Sequence, residues 1–180
     1  MPAVAERLDD AIASIVIRPV RADEWRRWRD VRVRMLREES RFFGTRWEDA
    51  LAQPEESWSA WVADATGETK ALFVAEEEDR WLGVVGSFLR VDPSEAQLIS
   101  MWVDRDARRR GIAQELIRAV ATWARARGCN TVCLFVQETN LAAQRLYEKA
   151  GFAPTGDREQ LSRRRGFKLL FTAPIEDLLA

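Results

Sequence analysis

The sequence predicts an α/β fold of the mixed, α+β kind: a mostly antiparallel sheet, flanked by helices, with one parallel strand pair. Three observations predict it. Extended stretches at Lys70–Glu76, Trp81–Val91 and Gln97–Val103 are separated by Glu77-Glu78-Asp79-Arg80 and Asp92-Pro93-Ser94, short polar turns that suit an antiparallel meander. Between the strand at Gln97 and a further one, Thr131–Val136, lies a helix of about fifteen residues, the length of a right-handed crossover joining parallel strands. That helix is amphipathic, with Leu116, Ile117, Val120, Ala121 and Ala124 on one face and Arg118, Arg125 and Arg127 largely off it.

Taken in order, residues 1–13 read as a loose N-terminal extension of a single domain spanning 1–180. Ile15–Val20 is a short strand. Asp23 is placed to cap a helix running to about Glu39, with Trp25, Trp28, Val31, Val33, Met35 and Leu36 at its apolar positions. Phe42-Phe43-Gly44 ends that helix. Thr45-Arg46-Trp47-Glu48 has the capping-box pattern, which starts a second short helix. Pro54 suits the first residue of another helical stretch through Trp58 and Trp61. Gly83 and Gly86, inside a strand, signal a bulge or a close backbone approach. After the Thr131 strand a helix begins near Asn140 and stops at Gly151, which can take the left-handed C′ position. Strands from Phe152 onward and over Gly166–Thr172 complete the sheet, with the polar stretch Asp157–Arg165 as a mobile hairpin.

A chain of 180 residues, 47% of them hydrophobic, suits one domain with a real core. Its net charge of −1 argues against a dedicated nucleic-acid binder, which would carry a basic excess. The clusters Arg26-Arg27-Trp28-Arg29 and Arg163-Arg164-Arg165 therefore read as solvated faces. No stretch is long and apolar enough to span a bilayer, and Glu6, Arg7, Asp9 and Asp10 stand where a signal peptide needs its apolar core. Cys129 and Cys133 read as buried free thiols, which fits a reducing cytoplasm. The chain has no histidine, which removes the commonest metal ligand, the usual general base and every serine–histidine triad. No metal is expected.

Function is concentrated after the third meander strand. The loop Asp104-Arg105-Asp106-Ala107-Arg108-Arg109-Arg110-Gly111-Ile112-Ala113 joins that strand to the amphipathic helix. The arrangement puts free backbone N–H groups and the positive end of a helix dipole at one point, and such a point binds phosphate. The loop has neither the Lys-Ser/Thr ending of a P-loop nor the three glycines of a dinucleotide-binding turn. Arginines at a helix N-terminus oppose the dipole, so an anion explains them better than a solvated helix start.

The motif Arg108-x-x-Gly111-x-Ala113, followed by Asn140-Leu141-Ala142-Ala143-Gln144-Arg145-Leu146-Tyr147-Glu148-Lys149-Ala150-Gly151-Phe152, resembles the two signature blocks of the GNAT N-acetyltransferase family. The resemblance covers the C-terminal half in detail. It implies that the two parallel strands splay apart and that acetyl-CoA lies in the wedge, its pantetheine arm bonded to exposed backbone. It implies a cofactor site made of backbone at Met101, Trp102 and Val103, the loop Arg108, Arg109, Arg110, Gly111, Ile112, Ala113 and Gln114 on the diphosphate, and Asn140. Asn140 is also a helix N-cap, and the two roles are compatible.

The same resemblance makes Tyr147, the only tyrosine, the general acid that protonates the leaving thiolate; its plain alternative is an amphipathic core residue. Many family members carry Glu at the position of Gln97, which can orient a water but cannot take a proton. Glu95, on the same strand face, is a fallback base. The acceptor, a small-molecule or peptide amine, would be met by Glu38–Trp61, with Phe42, Phe43, Trp47, Trp58 and Trp61 as candidate lining. A homodimer is common in proteins of this kind. Two other readings stay open: a catalytically weak acyl-CoA-binding regulatory module, supported by Gln97, and a phosphate-reading nucleic-acid binder.

Overall fold

Seven strands form one sheet in the order β1-β2-β3-β4-β5-β7-β6, in a computed structural model that describes residues 15–180. The expected loose extension, 1–13, lies outside the described residues. The strands are β1 (Val16–Pro19), β2 (Lys70–Glu77), β3 (Arg80–Leu89), β4 (Glu95–Val103), β5 (Thr131–Gln137), β6 (Ala153–Gln160) and β7 (Phe167–Pro174). The helices are α1 (Trp25–Glu38), α2 (Trp47–Leu51), α3 (Glu55–Ala65), α4 (Ile112–Arg125), α5 (Leu141–Ala150) and α6 (Ile175–Leu179). Every pairing is antiparallel except β4 with β5, as the crossover length requires.

Both faces of the sheet are covered, which is why β2 reads as a continuous apolar run. Ala71, Phe73 and Ala75 face a core built on α4 through Leu116, Ile117 and Val120. Leu72 and Val74 face a second core built on α1 and α3 through Trp28, Met35, Leu36, Trp58 and Val62. The β2–β3 hairpin turns through Glu78 and Asp79, both at positive φ (+48° and +61°), the geometry of a two-residue primed turn.

The bulge is on β4, beside the glycines that signalled it. Gly83 pairs with Val103 and Val84 with Trp102, but Gly86 pairs with Ile99, so β4 carries one residue more than β3. The extra residue lies at Ser100, whose φ is +55°. Its effect follows from the two-residue period of a strand. Ala96 and Leu98 face the α4 core, and an unbroken strand would send Trp102 there too; the bulge inverts the parity, and Trp102 packs in the α1–α3 core. Gly83 is needed for packing, since a Cβ there would stand 3.1 Å from both Ile112 Cγ2 and Trp102 O.

Several local expectations are corrected. Asp23 does not cap α1: the chain enters through a 3-10 turn, Ala22–Glu24, and the buried Glu24 carboxylate accepts the Arg21 N–H at 2.9 Å. The Thr45–Glu48 box does not form, because α2 starts at Trp47 with Arg46 in the cap position, leaving Thr45 one residue too early. Pro54 is the cap of α3 rather than its first helical residue. Helix α6 was not anticipated; Ile175 and Leu178, spaced three apart after Pro174, are buried in the α4 core. Arg27 is no solvated charge, since it pairs with Glu24 at 3.3 Å and Glu76 at 3.0 Å.

Candidate active site

The β4–β5 ladder lasts for three pairs, Glu95 with Thr131, Ala96 with Val132 and Gln97 with Cys133, and then stops. Beyond it the strands separate, each held on its far side, β4 by β3 and β5 by β7. A cleft of about 1840 Å³ opens there, lined by residues 98–103 of β4 and 134–137 of β5. Backbone polar groups on the two facing edges have no ladder partner across it, so an extended amide-bearing ligand can bond there as a strand would.

The loop before α4 closes one end of the cleft. Asp104 starts it by accepting the Asp106 N–H at 3.2 Å and holding Arg34 at 2.6 Å. After an extended Arg108, Arg109 and Gly111 both take left-handed backbone (φ +63° and +77°), so the loop turns sharply just before the helix. Gly111 is the N-cap of α4 and carries no capping side chain, which leaves the first N–H groups of the helix for a ligand. A Cβ at Gly111 would meet no atom within 4 Å, so that side of the glycine faces open space in the cleft.

The three arginines, grouped by the sequence, separate in space. Arg109 lines the cleft and makes no ion pair among the described residues. Arg108 also lines it, but its guanidinium donates to Glu39 at 2.8 Å and to the Val103 carbonyl at 3.1 Å, fastening the loop to the end of α1. Arg110 lies outside the lining and meets Glu77 of β2 at 2.6 Å. Met101, Trp102, Val103, Gly111, Ile112, Ala113 and Gln114 all line the cleft.

The opposite wall is α5. Asn140 caps it, Oδ1 accepting the Ala143 N–H at 3.2 Å, and the residue lines the cleft. Gln144 fastens the helix to the end of β5 by donating to the carbonyls of Gln137 at 3.2 Å and Glu138 at 3.0 Å. Tyr147 lines the cleft while only 8% exposed, its ring edge-on to Phe152 at 5.7 Å. Burial pushes its phenol well above the ordinary value, so the side chain stays a proton donor. Gln97 lines the cleft at the last paired position, its carbonyl held by the Ser87 hydroxyl at 3.0 Å. Glu95 lies outside the lining, with its carboxylate 3.5 Å from Arg90.

The acceptor side differs from expectation in its tryptophans. Phe42 and Phe43 line the cleft, but Trp58 is buried in the α1–α3 core, Trp61 stacks on Trp28 at 5.0 Å, and Trp47 lies under Arg37. Their helical spacing served packing. The end of β6 and its loop, read as a mobile hairpin, supply Glu159, Gln160, Leu161 and Ser162 to the lining. That loop crosses to α2 and the connection before it, where Arg163 pairs with Asp49 at 3.2 Å and Arg164 donates to the Ser40 carbonyl at 3.1 Å. No sequence signal pairs residues more than a hundred positions apart. Cys129 and Cys133 are buried and unbridged.

These features fit coenzyme A: an uncapped helix end and an open glycine suit a diphosphate, and two unpaired strand edges suit a pantetheine arm. No group of His, Cys, Asp and Glu able to hold a metal occurs among the described residues, and no described helix is long and apolar enough to cross a membrane.

Comparison with known proteins points the same way. The fold is similar to a GNAT-family acetyltransferase from Streptococcus pneumoniae, with a TM-score of 0.75, 17% identity, and coverage of 89% of this chain and 99% of that one. It is also similar to spermidine N-acetyltransferase from Vibrio cholerae in complex with CoA and spermine, with a TM-score of 0.74, 14% identity, and coverage of 93% and 99%. At such identities the likeness establishes the fold. In sequence, 89 residues are 39% identical to human N-acetyltransferase 8, covering 47% of this chain and 39% of that protein, well under half its length. The acetyltransferase (GNAT) family matches residues 32–152. That match runs from within α1, through the β4–β5 wedge and the glycine-bearing loop, to Phe152 just past α5: the chain belongs to the GNAT family of acetyltransferases.

Proposed function

We propose that this chain transfers the acetyl group of acetyl-CoA directly to a primary amine of a small molecule or peptide. The observation that carries the reading is the three-pair ladder of β4 and β5, which opens onto the uncapped N-terminus of α4. The relative crystallised with CoA supports the choice of donor.

Acetyl-CoA supplies the thioester. The N–H groups around Arg109–Gln114 hold the diphosphate, with Arg109 adding charge. The free edges of Met101–Val103 and of β5 align the arm, and the Asn140 carboxamide, after capping α5, keeps its NH2 group for a ligand. Tyr147 gives its proton to the departing sulfur. Gln97, on the cleft wall, orients a water that receives the proton of the amine; Glu95 is the weaker candidate, since Arg90 holds its carboxylate outside the lining. Gln97 in place of a carboxylate also favours a second reading, a module that binds acyl-CoA and transfers slowly. A cytoplasmic setting belongs to the same proposal, supported by two buried, unbridged cysteines.

The test is calorimetric titration with CoA, then release of free CoA thiol from acetyl-CoA over a panel of amines. The first reading expects binding and turnover, and binding without turnover on any amine selects the second. Gly111→Asp puts a carboxylate in the diphosphate site and a side chain at φ +77°, and it should weaken CoA binding by about tenfold or more. Unchanged affinity in that variant removes the loop from the mechanism.

A further inference from the structure

Helix α1 is rich in arginine, and most of its cations are matched. Arg26 meets Glu55 at 3.5 Å, Arg27 meets Glu76 at 3.0 Å, Arg29 meets Asp30 at 2.9 Å and Arg34 meets Asp104 at 2.6 Å. Arg32 is different. Among the described residues it has no carboxylate partner; its Nη1 donates to Ser100 Oγ at 3.3 Å and approaches Met35 Sδ at 3.9 Å, and its guanidinium lies 5.2 Å from the Phe43 ring centre. Ser100 and Phe43 both line the cleft, so Arg32 stands directly behind its acceptor-side wall.

We propose that Arg32 is a positioning residue: standing behind Ser100, it holds that hydroxyl and lends positive charge to the acceptor-side wall, which favours an amine acceptor carrying a carboxylate and makes the acceptor class free amino acids or short peptides. The proposal rests on the acetyl-transfer reading above.

Three physical points carry it. A part-buried cation without a counter-charge is under-compensated, and a substrate carboxylate offsets that deficit where a polyamine would add to it. The Ser100 hydroxyl, a neutral acceptor that lines the cleft, takes one N–H of the guanidinium and leaves its positive charge uncancelled behind the wall. Arg41, exposed on the same wall with its guanidinium 4.7 Å from the Phe42 ring, adds a second positive charge. The lining carboxylates do not cancel this field, since Glu39 is held by Arg108 at 2.8 Å, Glu159 by Lys168 at 2.9 Å, and Glu38 is 3.7 Å from Arg34. Desolvation lowers the Arg32 pKa to about 10, so the group remains a cation at neutral pH and gains from an anion. The bulge serves this arrangement: the left-handed turn at Ser100 is what brings its hydroxyl to Arg32 on the α1 side of the sheet.

The experiment compares free amino acids and dipeptides with their C-terminal amides, and spermidine with both, by CoA release. The wild type should prefer each acid over its amide by about tenfold or more in kcat/KM, with spermidine below the acids. Arg32→Gln should raise KM for the acids and bring acid and amide within about twofold of each other, while Arg32→Lys restores part of the preference. CoA affinity, measured on every variant, reports folding. Equal use of acid and amide by the wild type, or a preference that survives Arg32→Gln, overturns the role of Arg32 and leaves acetyl transfer standing. If Arg32→Gln fails to fold, the wild-type acid–amide ratio and Arg32→Lys decide. Absence of CoA binding, or of turnover on every amine, overturns acetyl transfer and this inference with it.

Discussion

Tyr147 is held as a proton donor by its surroundings. Its ring is buried against Phe152, and burial raises the phenol above its ordinary value of about 10. The sign follows: below about pH 10 the folded and free phenols are both protonated, so Tyr147 imposes no falling limb on activity there. In the proposed reaction the rising limb would belong to the acceptor's ammonium, at about pH 8 for the α-amino group of a peptide and about pH 10 for an alkyl amine. Tyr147→Phe should therefore lower kcat by about 10²-fold while CoA affinity changes less than about twofold. Equal turnover in the variant would end its role as acid. The place of Tyr147 in the cleft was legible from sequence because the motif around it lies on one helix and needs no distant partner. Arg32 was not legible. Its distinction is a part-buried place behind the cleft wall with no counter-charge among the described residues, and which arginines of α1 find one depends on Glu55, Glu76 and Asp104, far along the chain.

At the scale of elements, the bulge in β4 decides the most. It sends Trp102 into one core after Ala96 and Leu98 have served the other, and it turns Ser100 toward Arg32. Ser100→Val forces a β-branched residue to φ +55° and removes the hydroxyl, so it should destabilise the fold by about 1–3 kcal/mol in denaturant melts. Ser100→Gly relieves the backbone and should cost less. A Val variant as stable as the wild type would show that the strand can re-register. Gly83 and Gly86 hinted at the bulge one strand away. The strand carrying the extra residue stayed hidden, because serine is no marker of a left-handed turn.

Over the whole molecule, the first turn of α1 is tied to the sheet by one buried carboxylate. Glu24 accepts two bonds from Arg18 at 2.8 Å and one from the Arg21 N–H, and Arg18 also meets Glu76 at 2.7 Å. The hydrogen bond from Arg18 holds the Glu24 pKa down to about 2. A depressed carboxylate contributes stability above its unfolded pKa of about 4.3, and the contribution is lost as pH falls toward 2. Glu24→Gln should thus cost about 1.5–3 kcal/mol at neutral pH by thermal or urea unfolding, and the gap to the wild type should narrow between pH 4.5 and 2. A gap that is constant over that range would remove the charge from the explanation. The tie matters for function because α1 carries Arg32 and, at its end, the Glu39 that holds the loop residue Arg108.

By itself the sequence determined the kinds of element, the parallel pair and the glycine-bearing loop before α4, because hydrophobic period, connection length and a left-handed glycine are local properties of the chain. Only the tertiary structure decided which charges meet, which tryptophans pack and where β4 breaks its alternation. Those depend on distances between segments many tens of residues apart, and no local pattern encodes them.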